Sequence, residues 1–323
     1  MSRRDVVVIG GSAGVHAALR KLLSRLPADL PAAVLVVTHL PPGARSTLAE
    51  TLAKDSVLPV VTATDGERLR AGRVYVAVPD RHLVIGANDV LRLSTGPREN
   101  RARPAVDALF RAAARWCGPR VVGVVLSGSL DDGAAGLAAV AAHGGAALVQ
   151  DPVEARFAGM PQAALVAVPS AVAAPAAELA RLIALRAGQQ VDDAEEPDEA
   201  LIWETDMVAD GRTDAGHPQR PAALGCPECG GGMYEVRTGA AVHYVCHVGH
   251  SWSPQAFIAA SDDGIEEALW TAISAMEEKA TVLRDQAARV GGIEYEAELE
   301  RVRRSITVLR GQLVGESDHA AAS

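Results

Sequence analysis

Val6-Val7-Val8-Ile9-Gly10-Gly11-Ser12-Ala13-Gly14-Val15-His16-Ala17-Ala18-Leu19 decides how the rest of the chain is read. Four apolar β-formers run into a glycine-rich turn, and the turn opens onto an alanine- and leucine-rich helical pattern. Gly10-x-Ser12-x-Gly14 has the spacing of a nucleophile elbow, in which a strand-to-helix turn pushes a serine hydroxyl out at the top of a sheet. The same letters approach Gly-x-Gly-x-x-Gly, the fingerprint of a dinucleotide cradle, so two readings stand at this point.

Outward from that turn, residues 5 to about 185 alternate short apolar runs with helical patterns. Val6–Ile9, Val34–Val37, Val57–Thr62, Val74–Ala77, Leu83–Ile85, Val121–Leu126, Ala146–Val149 and Ala171–Ala173 read as strands. Helices follow the first two, and others start near Ala105, Gly133, Gly159 and Pro175. This alternation predicts an α/β, doubly wound and mostly parallel sheet of Rossmann-like type, and uninterrupted Val/Leu strands fit burial on both faces. Asp65 through Leu91 reads as a short antiparallel insertion.

Ligands of such sheets bind beyond the carboxyl ends of the strands. Ser12 follows the first run, His39 the second, and Asp131-Asp132 the run Val121–Leu126. Singly, each has a structural reading: a small turn residue, a hydrogen-bonded core histidine, a helix N-cap. Together they are the inventory of nucleophilic acyl transfer. A flavin or nicotinamide cradle would instead want a carboxylate at the end of the second strand, where Thr38 and His39 stand. That reading is the weaker alternative.

A net charge of -9 argues against nucleic-acid binding. No run approaches an 18-residue uncharged apolar span and no signal peptide is evident, so a cytoplasmic protein without membrane insertion is expected.

The motifs resemble the catalytic domain of the chemotaxis protein-glutamate methylesterases, the CheB family. The likeness rests on Val8-Ile9-Gly10-Gly11-Ser12-Ala13-Gly14, Thr38-His39-Leu40-Pro41-Pro42-Gly43, Arg103-Pro104-Ala105-Val106-Asp107, Leu126-Ser127-Gly128-Ser129-Leu130-Asp131-Asp132-Gly133-Ala134 and Gln150-Asp151-Pro152, in family order across residues 5 to about 186. It implies hydrolysis of glutamate γ-methyl esters on methyl-accepting chemoreceptors or similar helical proteins, with deamidation of glutamines as a side activity and no cofactor for catalysis. Ser12 would be the nucleophile, His39 the base, Asp132 its orienting carboxylate, and the backbone N–H groups of Ala13 and Ser129 the oxyanion donors. Val15, Ser129 and Leu130 depart from the family pattern, Val15 being expected to crowd the elbow. The family's receiver domain is not found, which leaves three expectations: constitutive activity, control by a separate regulator, or loss of activity. A non-catalytic interaction module that keeps the esterase fold is the other alternative.

Residues 1–187 are thus expected to form the methylesterase-like domain, and 188–223 an acidic linker in which Leu201-Ile202-Trp203-Glu204 could dock as a short strand. In 224–256, Cys226-x2-Cys229-x16-Cys246-x3-His250 has zinc-ribbon-like ligand spacing for a structural zinc, with His247 as a geometrically poorer fourth ligand. Cys117 reads as a core residue. Residues 257–315 carry two apolar stripes around Gly291-Gly292: Ile265, Leu269, Ile273 and Met276, then Leu299, Val302, Ile306 and Leu309. A helical hairpin is expected there, offering a seam for a homodimer, and then a disordered tail over 316–323.

Overall fold

The computed structural model describes residues 2–41, 43, 46–211, 218–291 and 293–320, with 314–320 described by backbone alone. It divides into two compact units, Met1–Phe257 and Ile258–Ser323.

In the first unit, β1 (Ser2–Arg3) precedes β2 (Val6–Gly11), α1 (Val15–Leu23), β3 (Ala33–Thr38), α2 (Leu48–Ala53), β4 (Val60–Thr62) and β5 (Val74–Val76). A hairpin of β6 (His82–Gly86) and β7 (Val90–Ser94) leads to α3 (Val106–Cys117), β8 (Val121–Val125), α4 (Ala134–Ala142), β9 (Ala146–Gln150), α5 (Gly159–Ala167), β10 (Val172–Ala174) and α6 (Ala176–Arg186). Seven strands form one parallel sheet in the order β10-β9-β8-β2-β3-β5-β4. β2 lies at its centre and is buried throughout, which is why its sequence is an uninterrupted apolar run. One face of the sheet is covered by α1 and α6 through Leu19, Leu22, Leu179 and Ile183, the other by α3 and α4 through Leu109, Phe110, Leu137 and Val140. The expected doubly wound sheet is present.

Local differences have local causes. β4 begins only at Val60, because Pro59 has no N–H to give the ladder. The antiparallel feature consists of the pair β6–β7 with the Gly66–Leu69 stretch bridged antiparallel to Asp89–Leu91, whereas β5 joins the main sheet in parallel. Pro175 caps α6 from outside rather than opening it.

After β11 (Gln190–Val191), which pairs with β1, comes α7 (Glu199–Asp210). Leu201–Glu204 are therefore helical, not a docking strand. Asp198 accepts the Leu201 N–H at 2.8 Å, and Gly211 ends the helix at φ 72°. An antiparallel sheet follows, of β12 (Pro221–Gly225), β13 (Gly232–Thr238), β14 (Ala241–Cys246) and β15 (Ser251–Trp252). Trp203 and Met207 of α7 pack on Val236 and Val245 of this sheet, while Leu201 joins the main core. Buried charges reinforce that junction. Arg111 of α3 donates to Glu99 at 2.5 Å and lies 3.1 Å from Glu204 of α7, whose carboxylate is 2.7 Å from His243 Nε2 of β14. The cysteine-bearing sheet thus shares a unit with the esterase-like sheet instead of hanging from a solvated linker.

The second unit is built on α8 (Pro254–Val290) and α9 (Ile293–Ala320). Ile273, Ala280, Leu299 and Val302 are buried, and Lys279–Glu298 and Arg310–Glu277 pair across the two helices. Ile265, expected in the seam, is exposed. Gly292 and 321–323 of the expected tail lie outside the described residues, while α9 continues through 316–320. No helix of the described residues is long and apolar enough to cross a membrane.

Candidate active site

Three adjacent strands, β8, β2 and β3, bring their carboxyl ends together where the chain order reverses, the place where doubly wound sheets bind ligands. Ser12 directly follows β2. Its turn closes through Val15 N–H to Ser12 O at 3.2 Å, with Gly14 at φ 71°, a conformation that suits glycine. Val15 takes the first helical position of α1 and is buried, and a Cβ at Gly11 would collide with it. The branched side chain therefore fills space over Gly11, and the left-handed position falls on Gly14 beside it.

Ser127, after β8, braces the turn. Its carbonyl accepts the Ser12 N–H at 2.9 Å, its hydroxyl donates to Ala13 O at 2.8 Å and accepts from Phe157 N–H at 3.0 Å, and its own N–H donates to Gln150 Oε1 at 2.9 Å.

His39 follows β3, and its Nδ1 lies 2.9 Å from Ser12 Oγ. Its Nε2 lies 2.7 Å from Asp132 Oδ2, with the His39 side chain 29% exposed and that of Asp132 3%. An Nε2–H tautomer satisfies both partners: it donates to the carboxylate and leaves the Nδ1 lone pair for the serine hydroxyl. Asp132 is fixed from behind by the first N–H groups of α3. Val106 donates to Oδ2 at 2.8 Å and Asp107 to Oδ1 at 3.1 Å, so an anion sits at a helix N-terminus. Asp131 turns away to accept from the Ser253 hydroxyl, which settles which aspartate faces the imidazole. Neither aspartate side chain caps α4, whose N-cap is Gly133.

Burial opposes charge on both groups, but their pairing prevails. For His39, desolvation is outweighed by the hydrogen bond to Asp132 and by its charge, so the imidazole pKa rises above 6.5. For Asp132, desolvation is outweighed by His39 and by the two backbone N–H donors, so the carboxyl is held well below its usual range. His82 is different: burial pushes it down to about 4, and as a neutral ring it accepts the Ala105 N–H and donates to Pro97 O, bracing the entry to α3.

Ala13 and Ser129 lie on the two loops bordering Ser12. A Cβ at Gly128 would stand 3.1 Å from Ser12 Cβ, so those loops touch. Leu130 adopts φ 59° and is exposed beside them. The arrangement can polarise a serine hydroxyl, accept its proton on Nδ1 and hold the imidazolium against a buried carboxylate. A dinucleotide cradle would leave the turn open to a pyrophosphate, whereas here the imidazole sits against Ser12. Sequence reasoning passed over Asn100, Gln150, His82 and the bracing role of Ser127. Ser127 and Gln150 stand at strand ends, a signal that could have found them; Asn100 offers none.

Cys226, Cys229, Cys246 and His250 form a second cluster that could hold a metal ion, their ligand atoms all within 4.8 Å of one another. Cys229 Sγ–Cys246 Sγ is 3.8 Å, Cys226 Sγ–His250 Nδ1 3.8 Å and Cys246 Sγ–His250 Nδ1 3.6 Å. A tetrahedron with metal–sulfur bonds of about 2.3 Å has edges of about 3.8 Å, so the set fits a four-coordinate ion. Two turns supply it: Gly230 N–H donates to Cys226 O at 2.8 Å, and Gly249 N–H to Cys246 O at 2.8 Å. His247 instead lies against Gly231 and is exposed, outside the donor set. Trp252 Nε1 donates to Cys226 Sγ at 3.3 Å.

A family model described as CheB methylesterase matches residues 7–183. A protein-glutamate methylesterase/protein-glutamine glutaminase 2 of Methanosarcina mazei is 41% identical over 167 residues, covering 50% of this chain and 46% of that one. A protein-glutamate methylesterase/protein-glutamine glutaminase of Chromohalobacter salexigens is 42% identical over 170 residues, covering 52% and 48%. The chain therefore spans about half the length of the curated relatives it matches. Among solved structures, the CheB methylesterase catalytic domain of Thermotoga maritima superposes with a TM-score of 0.55 at 32% identity, covering 57% of this chain and 99% of that one. Residues 7–183 contain Ser12, His39 and Asp132 on one rim, and by them this chain belongs to the CheB methylesterase family.

Proposed function

We propose that the protein is a serine esterase that hydrolyses glutamate γ-methyl esters on helical segments of chemoreceptor-like proteins and deamidates glutamine there as a side reaction. The observation that carries this reading is the continuous hydrogen-bonded series Ser12 Oγ, His39 Nδ1, His39 Nε2, Asp132 Oδ2, at 2.9 and 2.7 Å. Ser12 Oγ attacks the ester carbonyl carbon as its proton passes to His39 Nδ1. The tetrahedral oxyanion is received by the N–H groups of Ala13 and Ser129, each such donor stabilising it by about 3 kcal/mol. Collapse breaks the bond to the methoxy oxygen, which takes the proton from His39 and departs as methanol, leaving a glutamyl ester on Ser12. Water, deprotonated by His39, attacks that ester and releases the glutamate with Ser12 restored. All of these steps use protein groups alone.

In this reading the Cys226–Cys229–Cys246–His250 set binds zinc, and a closed set of four protein ligands makes the ion structural. Three reduced thiols suit a cytoplasmic setting. Exposed Ile258, Ile265 and Trp270 on α8 support pairing of chains through the C-terminal helices.

The test is methanol release from methylated receptor fragments, together with labelling by a serine-directed sulfonyl fluoride. The wild type should release methanol and be labelled at Ser12. Equal, slow release by wild type and Ser12→Ala would sink the esterase reading. Metal analysis should find about one zinc per chain, lost in Cys229→Ser.

A further inference from the structure

The esterase site and the cysteine-bearing sheet meet at the turn Glu99–Ala102. The turn is a tight hairpin, with Ala102 N–H donating to Glu99 O at 2.7 Å and Glu99 N–H to Ala102 O at 3.2 Å. Its central residues Asn100 and Arg101 take φ 50° and 62°. Asparagine tolerates the left-handed region; an arginine there is strained, so such a turn persists when its surroundings hold it.

What holds it comes largely from beyond residue 198. Asn100 N–H donates to Ser251 O at 2.8 Å, and Ser251 N–H to Arg98 O at 3.3 Å, so β15 lies as a strand along the turn. Glu99 is gripped by Arg111, which Glu204 of α7 flanks in turn. The Asn100 side chain is clamped at both ends. Its Oδ1 accepts the Ser253 N–H at 2.8 Å, and its Nδ2 faces Asp132 Oδ1 at 3.4 Å. Those neighbours decide the amide's orientation, because a backbone donor needs the oxygen and a carboxylate needs the NH2. Next to it, Ser253 Oγ donates to Asp131 and accepts the Ala256 N–H at 3.1 Å. At its other end this segment issues directly from His250, whose carbonyl accepts the Cys246 N–H at 2.9 Å.

We propose that Asn100 is a positioning residue for Asp132, and that the metal-binding sheet keeps the esterase site in register by holding the turn that presents it. The proposal rests on the esterase reading above. Asp132 Oδ1 otherwise has the Asp107 N–H as its donor; the Asn100 amide adds a second, fixing the carboxylate plane and through it the tilt of His39.

The test uses the full chain with its metal. Asn100→Gly deletes the amide yet suits a positive φ, so the turn survives. Asn100→Asp keeps the shape and the acceptor for Ser253 N–H but sets a carboxylate against Asp132. Steady-state hydrolysis of methylated receptor fragments should show kcat reduced about tenfold in Asn100→Gly and further in Asn100→Asp, the loss of one hydrogen bond to a charged group. KM should stay within about twofold, because Asn100 touches Asp132 rather than the substrate, and metal content should be unchanged. The low-field proton resonance of His39 Nε2–H, assigned by its loss in Asp132→Asn, should move in both variants. Chelating the metal from wild type should reproduce the fall in kcat and add little to Asn100→Asp. Unchanged kcat with an unmoved resonance overturns the proposal. A kcat that falls only in step with melting temperature, the resonance unmoved, overturns it too, as does full kcat after metal removal. A wild type without turnover whose resonance still moves in both variants would overturn the esterase reading and keep the positioning role.

Discussion

Replacing Asp132 by asparagine preserves shape and removes charge, and the surroundings make the change costly. Oδ2 receives His39 Nε2–H and Val106 N–H, while Oδ1 receives Asp107 N–H, so both positions face donors. An amide can offer an oxygen at only one. With its nitrogen at the Oδ2 position it faces Nε2 and Val106 N–H, driving His39 to the Nδ1–H tautomer, which cannot accept the serine proton. With its nitrogen at Oδ1 the tautomer survives, but the carboxylate that would stabilise the imidazolium is gone. Opposite unit charges about 4 Å apart at an effective dielectric of about 20 attract by about 4 kcal/mol. Losing that in the transition state lowers kcat by about a thousandfold. Burial, which opposes protonation of His39, is then unopposed by Asp132, so the acid limb of kcat/KM should move to lower pH. The assay is methanol release across pH 5 to 9, about, for both proteins. A variant within tenfold of wild-type kcat, or an unmoved acid limb, would refute the reasoning.

Four further outcomes follow from the structure. In wild type the acid limb of kcat/KM should lie above pH 6.5, since His39 must be neutral to act and its pKa is raised. The stability that this pair contributes runs the other way: present in full below pH 6.5, it is lost as pH rises through the folded pKa of His39, while the Asp132 share is lost only as acid reaches its depressed pKa. Melting temperatures of wild type and His39→Gln across pH should show this, the gap between them narrowing as pH rises. Ser127→Ala orphans Ala13 O and Phe157 N–H beside the elbow; thermal melts should show a loss of about 1–3 kcal/mol, and kcat should fall with it. Arg111→Met leaves Glu99 and Glu204 buried without their cation, and denaturant unfolding should register a loss of about 3–5 kcal/mol.

What the residues reveal in advance depends on how local their causes are. Val6–Ile9 and Val34–Val37 read correctly because a strand covered on both faces must be apolar throughout. Ser12, His39 and the pair Asp131-Asp132 stand out because sheet physics puts chemistry beyond strand ends, Ser12 and His39 directly after their strands and the aspartates a short loop after β8, while the family resemblance singles out Asp132. Leu201–Glu204 misled because a short apolar run has no period; the better signals were the flanking caps, Asp198 and Gly211. Ligand spacing picked His250 over His247, and the turn at Gly249 (φ 93°) gives the structural reason. Asn100 escaped notice because nothing near it in the chain is unusual: what orients it stands at Ser253.

That separation bears on the order in which the site is assembled. Ser12 and His39 are 27 residues apart, His39 and Asp132 93, and Asn100 and Ser253 153. Closing the longest of these loops costs about 1.5 kcal/mol more entropy than closing the shortest. On a ribosome the nucleophile can meet its imidazole early, yet Asn100 has no partner for its amide oxygen until residue 253 has emerged. A nascent chain therefore carries Ser12, His39 and Asp132 well before the amide that orients the last of them is fixed, and the last piece to arrive is a backbone N–H three residues past His250, one of the four residues that could hold a metal ion.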